Sequence, residues 1–205
     1  MSRPDYDAIK TSSNPQLKIM TGTNLERLNG LSRVFDFAAG KMVLDIACHN
    51  GTLAGACAAA GAIAIDGVDI WRPGLAMAVV ELANYPIPSR FAYCDLTGGI
   101  AALHLALEPM AAHHDVVLYL GIHQHLARQI ESETLDQLLW DIAVLAKSVI
   151  AMRMPAGPMV RADAVVRAAG FDLWYEDSSS DIVGPLRVYR RLSRPDNLPY
   201  PQELP

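Results

Sequence analysis

The sequence predicts an α/β fold: a doubly wound, mostly parallel seven-stranded sheet with helices on both faces and an antiparallel final strand. Three observations carry this. Short apolar runs alternate with helical stretches along most of the chain, which is the pattern of successive strand–helix–strand units. The first of these, "KMVLDIA", is a short apolar run without strict alternation, the kind found in a parallel strand covered on both faces. The last two runs are separated only by "SSSDIV", too short for a helical crossover, so they pair antiparallel at one edge.

In chain order, residues 1–22 read as a polar arm punctuated by Pro4 and Pro15. "NLERLNGLSRVFDFAAG" places Leu25, Leu28, Leu31, Val34 and Phe35 on one face at three- and four-residue steps and stops at Gly40, an amphipathic helix. "KMVLDIA" is the first strand. "TLAGACAAAG" is a small-residue helix ending at Gly61, "AIAIDGVDI" the second strand, and "RPGLAMAVVELANY" a helix that ends before Pro86. "SRFAYCDL", "GIAALHLALEPM" and "HDVVLYLG" continue as strand, helix and strand. "SETLDQLLWDIAVLA" is a helix with Ser132 as its cap and Leu135, Leu138, Leu139, Ile142 and Leu145 on its apolar face. "SVIAMRM" is the fifth strand, "MVRADAVVRAAG" a helix stopped by Gly170, and "FDLWYED" and "GPLRVYRRL" the closing pair. Prolines recur through residues 194–205, which therefore form a tail without helix or strand. One domain over residues 23–193 thus lies between an arm and a tail.

Composition narrows the function. Hydrophobic residues make up 51% and charged residues 19%, enough apolar surface for a substantial core. No run of eighteen uncharged apolar residues occurs, so no membrane span is expected. The N-terminus lacks the apolar region of a secretory signal, and Cys48, Cys57 and Cys94 form no C-x-x-C pair; together these predict a cytosolic protein without a disulfide framework or zinc knuckle. The net charge of −5 disfavours a broad nucleic-acid surface. A local one stays open because Arg187, Arg190, Arg191 and Arg194 crowd the C-terminal end, although a solvated edge strand explains them more simply.

In a doubly wound sheet, ligands bind beyond the carboxyl ends of the strands. Three acids fall at such ends: Asp45, Asp69 and Asp95. Asp69 lies 24 residues after Asp45, near the spacing at which a carboxylate meets a ribose diol. Any one of them alone would suit a helix cap or a turn; three at successive strand ends suggest a ligand.

"VLDIACHNG", "GVDI", "FAYCDL" and "DVVLYLGIHQHL" resemble motifs of the class I S-adenosylmethionine-dependent methyltransferase family. The resemblance covers residues 25 to 192, and the closing hairpin is similar to that family's reversed last strand. In the family an acid-x-Gly-x-Gly-x-Gly loop approaches the methionine half of the cofactor; Asp45, Ala47, His49 and Gly51 occupy its positions, and only the last glycine remains. Ala47 suits such a loop where its φ stays negative. A family variant carries Cys and a polar residue in the middle of the loop, matching Cys48 and His49. The resemblance further implies that Asp69 binds the ribose hydroxyls, that Ile70 and Trp71 flank the adenine, and that Asp95 with Leu96 holds its amino edge. Trp71 would equally serve as a partly exposed aromatic at a helix start. Leu120 and Gly121 would border the cofactor, and His123 and His125 would touch the methyl acceptor, one of them orienting the nucleophile or taking its proton. Similar runs in the family hold structural histidines as well.

A dinucleotide is the weaker alternative, because a pyrophosphate requires the full glycine fingerprint. No third ligand accompanies His123 and His125, so no metal is expected. His113 and His114 should lie at the opposite, solvent-facing end of their strand, with Asp115 as a capping residue. The predicted function is methyl transfer from S-adenosyl-L-methionine to an oxygen or nitrogen nucleophile on a small molecule. An RNA acceptor, or a non-catalytic S-adenosylmethionine-binding scaffold suggested by Ala47 and His49, are the alternatives. The arm, the segment after His125 and residues 155–160 would wall the acceptor pocket, where Arg153 would pair an acidic acceptor or simply face solvent. The sequence does not set the oligomeric state; a homo-oligomer is compatible with it.

Overall fold

A computed structural model describes residues 28–111, 113–178 and 184–192. The expected arm (1–22), Leu25, Arg194 and the tail lie outside the described residues. In chain order the elements are α1 (Ser32–Ala38), β1 (Met42–Ile46), α2 (Thr52–Ala59), β2 (Ala64–Asp69), α3 (Arg72–Leu82), β3 (Ser89–Tyr93), a 3₁₀ turn (Leu96–Gly98) and α4 (Gly99–Ala106). They continue as β4 (His114–Leu120), α5 (His123–Leu126), α6 (Ser132–Leu145), β5 (Ala146–Arg153), α7 (Ala156–Ala168), β6 (Phe171–Asp177) and β7 (Leu186–Arg191).

The strands form one sheet of seven in the order β3-β2-β1-β4-β5-β7-β6. β1 pairs in parallel with β2 and β4, β2 with β3, and β4 with β5. β7 runs antiparallel to both of its neighbours. The closing hairpin therefore sits at one edge as expected, with β7 inserted between β5 and β6.

The continuous apolar runs fill two cores, because successive side chains of a strand point to opposite faces. Leu44, Ile46, Val117, Tyr119, Ile150 and Met152 face one layer, built from α4, α6 and α7. Val43, Val116, Leu118, Val149, Ala151 and Val188 face the other, built from α1 and α2. All five apolar positions expected on α6 are buried. Among the described residues no helix is long and apolar enough to cross a membrane.

Local readings are corrected at four places. Gly30 adopts φ +75°, where a Cβ would lie 2.5 Å from Asp177 Oδ2; this turn delays the first helix to Ser32 and leaves Leu28 outside it. Ser132 is the first helical residue of α6 and not its cap, since Glu131 holds that position without a side-chain hydrogen bond. His114 does not face solvent. It is 1% exposed, with Nε2 2.8 Å from Asp66 Oδ2, and Arg90 donates to both oxygens of the same carboxylate at 3.0 Å. Burial opposes ionisation of Asp66, but His114 and Arg90 outweigh it and hold the carboxyl below its ordinary range. Asp115 accepts the Met42 N–H at 3.0 Å and thus ties the start of the neighbouring β1. Finally, α5 follows β4 where no helix was expected.

Candidate functional site

A cavity of about 950 Å³ opens along the C-terminal ends of the strands. Its walls follow the order of the sheet: Asp95 and Leu96 after β3, Asp69 and Ile70 at β2, and the loop after β1. Next come Leu120, Gly121 and His125 after β4, then Arg153 at the end of β5, and last Glu176 and Arg187 of the closing hairpin.

The loop after β1 is the most strained part of this wall. Ala47 has φ +61° and His49 φ +51°, and Gly51 follows at φ +76°. The condition under which Ala47 would suit the loop, a negative φ, is not met; the chain keeps a left-handed glycine geometry although two of the glycines are absent. Each such non-glycine residue costs about 1–3 kcal/mol. Neighbouring bonds hold the loop in place. Cys48 N–H donates to Val68 O at 3.0 Å, and His49 N–H to Asp69 Oδ2 at 2.8 Å. At Gly51 a Cβ would lie 2.7 Å from Ala78 Cβ, so the remaining glycine is required for α2 to pack on α3.

Asp69 organises two loops at once, because its second oxygen accepts the Trp71 N–H at 2.7 Å. It still borders the cavity. Trp71 does not: its indole stacks on the His49 ring with centroids 4.4 Å apart, over Gly74, where a Cβ would lie 2.3 Å from Trp71 Cε3. Of the two residues expected to flank an adenine, Ile70 alone is on the wall. Asp95 Oδ1 accepts the Thr97 N–H and hydroxyl at 3.0 and 2.8 Å, which fixes the carboxylate at the rim.

Asp45, Gly51 and His123 are also absent from the wall. Asp45 is 1% exposed, and neither of its oxygens makes a hydrogen bond. Burial first, and then the charge of Asp69, push its carboxyl up to about 8. The same burial raises the thiols of Cys48 and Cys57, and that of Cys94 to about 11. None of the three is therefore a thiolate nucleophile at neutral pH. A pH dependence follows from Asp45. The unfolded carboxyl ionises near its ordinary value of 3.8 whereas the folded one stays protonated to about 8, so unfolding releases a proton between these limits and stability falls as pH rises. We expect the thermal midpoint of the ligand-free protein to drop between pH 5 and pH 8, by up to about 1.4 kcal/mol of stability per pH unit, and Asp45→Asn to flatten the profile.

After β4 the chain turns at Gly121, φ +75°, where an added Cβ would meet nothing within 4 Å. Gly121 O accepts from Gln124 Nε2 at 2.9 Å. Of the two candidate histidines, His125 is exposed on the cavity wall. His123 is 5% exposed and turned inward, with Nδ1 3.3 Å from the Tyr119 hydroxyl; burial lowers its pKa against the pull of Asp136. Arg153 is no surface arginine: it is 3% exposed and donates to Asn29 O while still reaching the wall. The contribution of Glu176 and Arg187, joined at 2.7 Å, was not foreseen. The sequence marks both only as alternating residues of a hairpin, and the insertion of β7 beside β5 brings them to the cavity.

Arg187, Arg190 and Arg191, the described C-terminal arginines, are committed to the fold. Arg187 also approaches Asp163 at 3.4 Å. Arg190 lies 4.6 Å over the Trp174 ring, and Arg191 binds three backbone carbonyls. Among the described residues no group of three or more His, Cys, Asp or Glu side chains could hold a metal ion.

No protein-family model and no curated protein matches the sequence. Solved structures do match. The chain is similar to the magnesium protoporphyrin IX methyltransferase of Synechocystis PCC 6803 with bound SAM, at 18% identity and TM-score 0.64, covering 88% of this chain and 85% of that one. It is similar to a ribosomal-protein methylase from Lactobacillus delbrueckii subsp. bulgaricus at 14% identity and TM-score 0.57, covering 83% and 81%. A TehB-like SAM-dependent methyltransferase from Corynebacterium glutamicum matches at 14% identity and TM-score 0.55, covering 87% and 99%. With the strand order, the reversed β7 and the cavity at the strand ends, these likenesses establish that the chain has the class I S-adenosylmethionine-dependent methyltransferase fold.

Proposed function

We propose that the protein is an S-adenosyl-L-methionine-dependent methyltransferase acting on an oxygen or nitrogen nucleophile of a small molecule. The observation that carries this reading is the run of acceptors along one half of the cavity, Asp95, Asp69 and the loop after β1, which ends at His125. The residues fit the group. A ribose diol and an adenine amino edge are donors and match the carboxylates of Asp69 and Asp95 on the wall. Nothing in the loop suits a pyrophosphate.

When bound, S-adenosylmethionine supplies an electrophilic methyl on a sulfonium. Asp69 would accept from the ribose, Asp95 and Leu96 would border the adenine, and Gly121 leaves room where the two halves of the cavity meet. His125 would take the nucleophile's proton on a ring nitrogen. The apolar Pro155, Ala156 and Met159 would exclude water from the acceptor. Positioning of this kind supplies much of the rate of a bimolecular displacement. A small acceptor is favoured over RNA by the engagement of Arg187, Arg190 and Arg191 within the fold.

Calorimetry with S-adenosylhomocysteine tests the reading. Micromolar binding is expected, and its absence would turn the interpretation toward a scaffold of the same fold. His125→Ala should then leave this affinity intact and slow methylation of a responsive acceptor, found by screening small alcohols and amines, by about a hundredfold or more. An unchanged rate would remove His125 from the chemistry.

A further inference from the structure

His49 stands where a glycine would relieve strain, and its side chain is held in a defined way. Thr52 Oγ1 donates to Asn50 Oδ1 at 2.9 Å, which identifies that oxygen as an acceptor. It lies 3.3 Å from His49 Nδ1, so in the neutral ring Nδ1 carries the proton and donates. The hydrogen bond at one nitrogen sets the tautomer, leaving Nε2 with its lone pair. Among the described residues Nε2 has no partner, and His49 is part of the cavity wall.

The ring cannot swing freely. Its backbone N–H is fixed on Asp69 Oδ2 and its face lies on Trp71. Each oxygen of Asp69 already accepts one backbone N–H, which leaves one lone pair on each for a diol, and a second acceptor beside the carboxylate would share that diol with it. Strained residues that persist beside a cavity point toward a ligand contact, and this one carries an unpartnered acceptor on a residue whose backbone is bound to that carboxylate.

We infer that the His49 imidazole is a direct ligand of the cofactor's ribose, its Nε2 accepting one hydroxyl while Asp69 accepts the other. The inference rests on the reading that the cavity holds S-adenosylmethionine. It gives the departure from glycine a purpose: the loop keeps a left-handed residue because its side chain completes the diol site.

The test compares two probes by calorimetry, S-adenosylhomocysteine and 5′-methylthioadenosine, which keeps the ribose and adenine but lacks the amino-acid half. Both should bind the native protein. His49→Gly removes the ring and the strain together; His49→Phe keeps a ring to stack on Trp71 but has no lone pair. Each variant should weaken both probes by the same factor, about tenfold for one lost acceptor bond, and His49→Asn, which tolerates left-handed backbone and offers an amide oxygen, should recover part of it. Loss confined to S-adenosylhomocysteine would assign His49 to the amino-acid half and overturn the inference, as would unchanged binding of both probes by His49→Gly. Failure of the native protein to bind either probe would instead remove the cofactor reading itself, and the inference with it.

Discussion

Asp69→Ala should weaken S-adenosylhomocysteine at least tenfold, about 1.4 kcal/mol, and destabilise the ligand-free protein at the same time. The double effect is the distinctive part. The carboxylate accepts from His49 N–H and Trp71 N–H at 2.8 and 2.7 Å, and hydrogen bonds to a charged group contribute about 1.5–3 kcal/mol each when buried. Both bonds lie near the surface, so a combined stability loss of about 2 kcal/mol is the reasonable expectation. Asp69→Asn, with one acceptor oxygen, should fall between the two. Calorimetry and thermal unfolding of the three proteins check this; unchanged affinity in the alanine variant would show that the ribose lies elsewhere.

The largest loss of stability should come from Arg191→Ala. Its guanidinium donates to Ala143 O and Ala169 O at 2.9 Å and to Ala146 O at 2.8 Å, and lies 4.1 Å over the Phe171 ring. These carbonyls belong to the last turn and cap of α6 and the cap of α7, where helices leave acceptors unmatched and a cation is favourable. One side chain therefore closes two helix ends. Truncation strands three carbonyls at about 1–3 kcal/mol each, partly offset by water at the opened surface, so about 3–5 kcal/mol is expected, or about 10 °C in thermal midpoint for a domain of this size. Arg191→Lys should recover only a fraction, because an ammonium lacks the planar fork. A loss below about 1 kcal/mol would mean that the carbonyls find other partners.

Much of the framework could be read directly from sequence because its determinants are local. The leucines of α6 repeat at helical spacing, and Met42, Val43 and Leu44 form a continuous apolar run, so both elements and their burial followed from local pattern alone. The ends of β2 and β3 placed Asp69 and Asp95 at the cavity for the same reason. What escaped was set by distant partners. Nothing near Gly30 in sequence announces Asp177, whose approach shapes the turn before α1. His114 looks exposed until Asp66 and Arg90, from two other strands, enclose it. His123 and His125 are two residues apart on one short helix, which sends one into the core and the other to the cavity; strand-based spacing would have put them on the same side. The left-handed backbone at Ala47 and His49 runs against their residue types and is imposed by Asp69, Val68 and the packing of Gly51.

The insertion of β7 also bears on how the chain is assembled during translation. β6 joins the sheet only through β7, yet it leaves the ribosome first. The strands β2, β3 and β4, which lead to Asp69, Asp95 and Gly121, can pair as soon as each emerges, whereas β6 must wait as an orphan segment until residues 186–191 arrive to seat it. Glu176 and Arg187 reach the cavity in that same final step. Nascent chains arrested before residue 186 should thus present the Asp69 and Asp95 side of the cavity formed with its opposite wall still open, a vulnerable interval in which the exposed edges of β5 and β6 invite pairing with other chains.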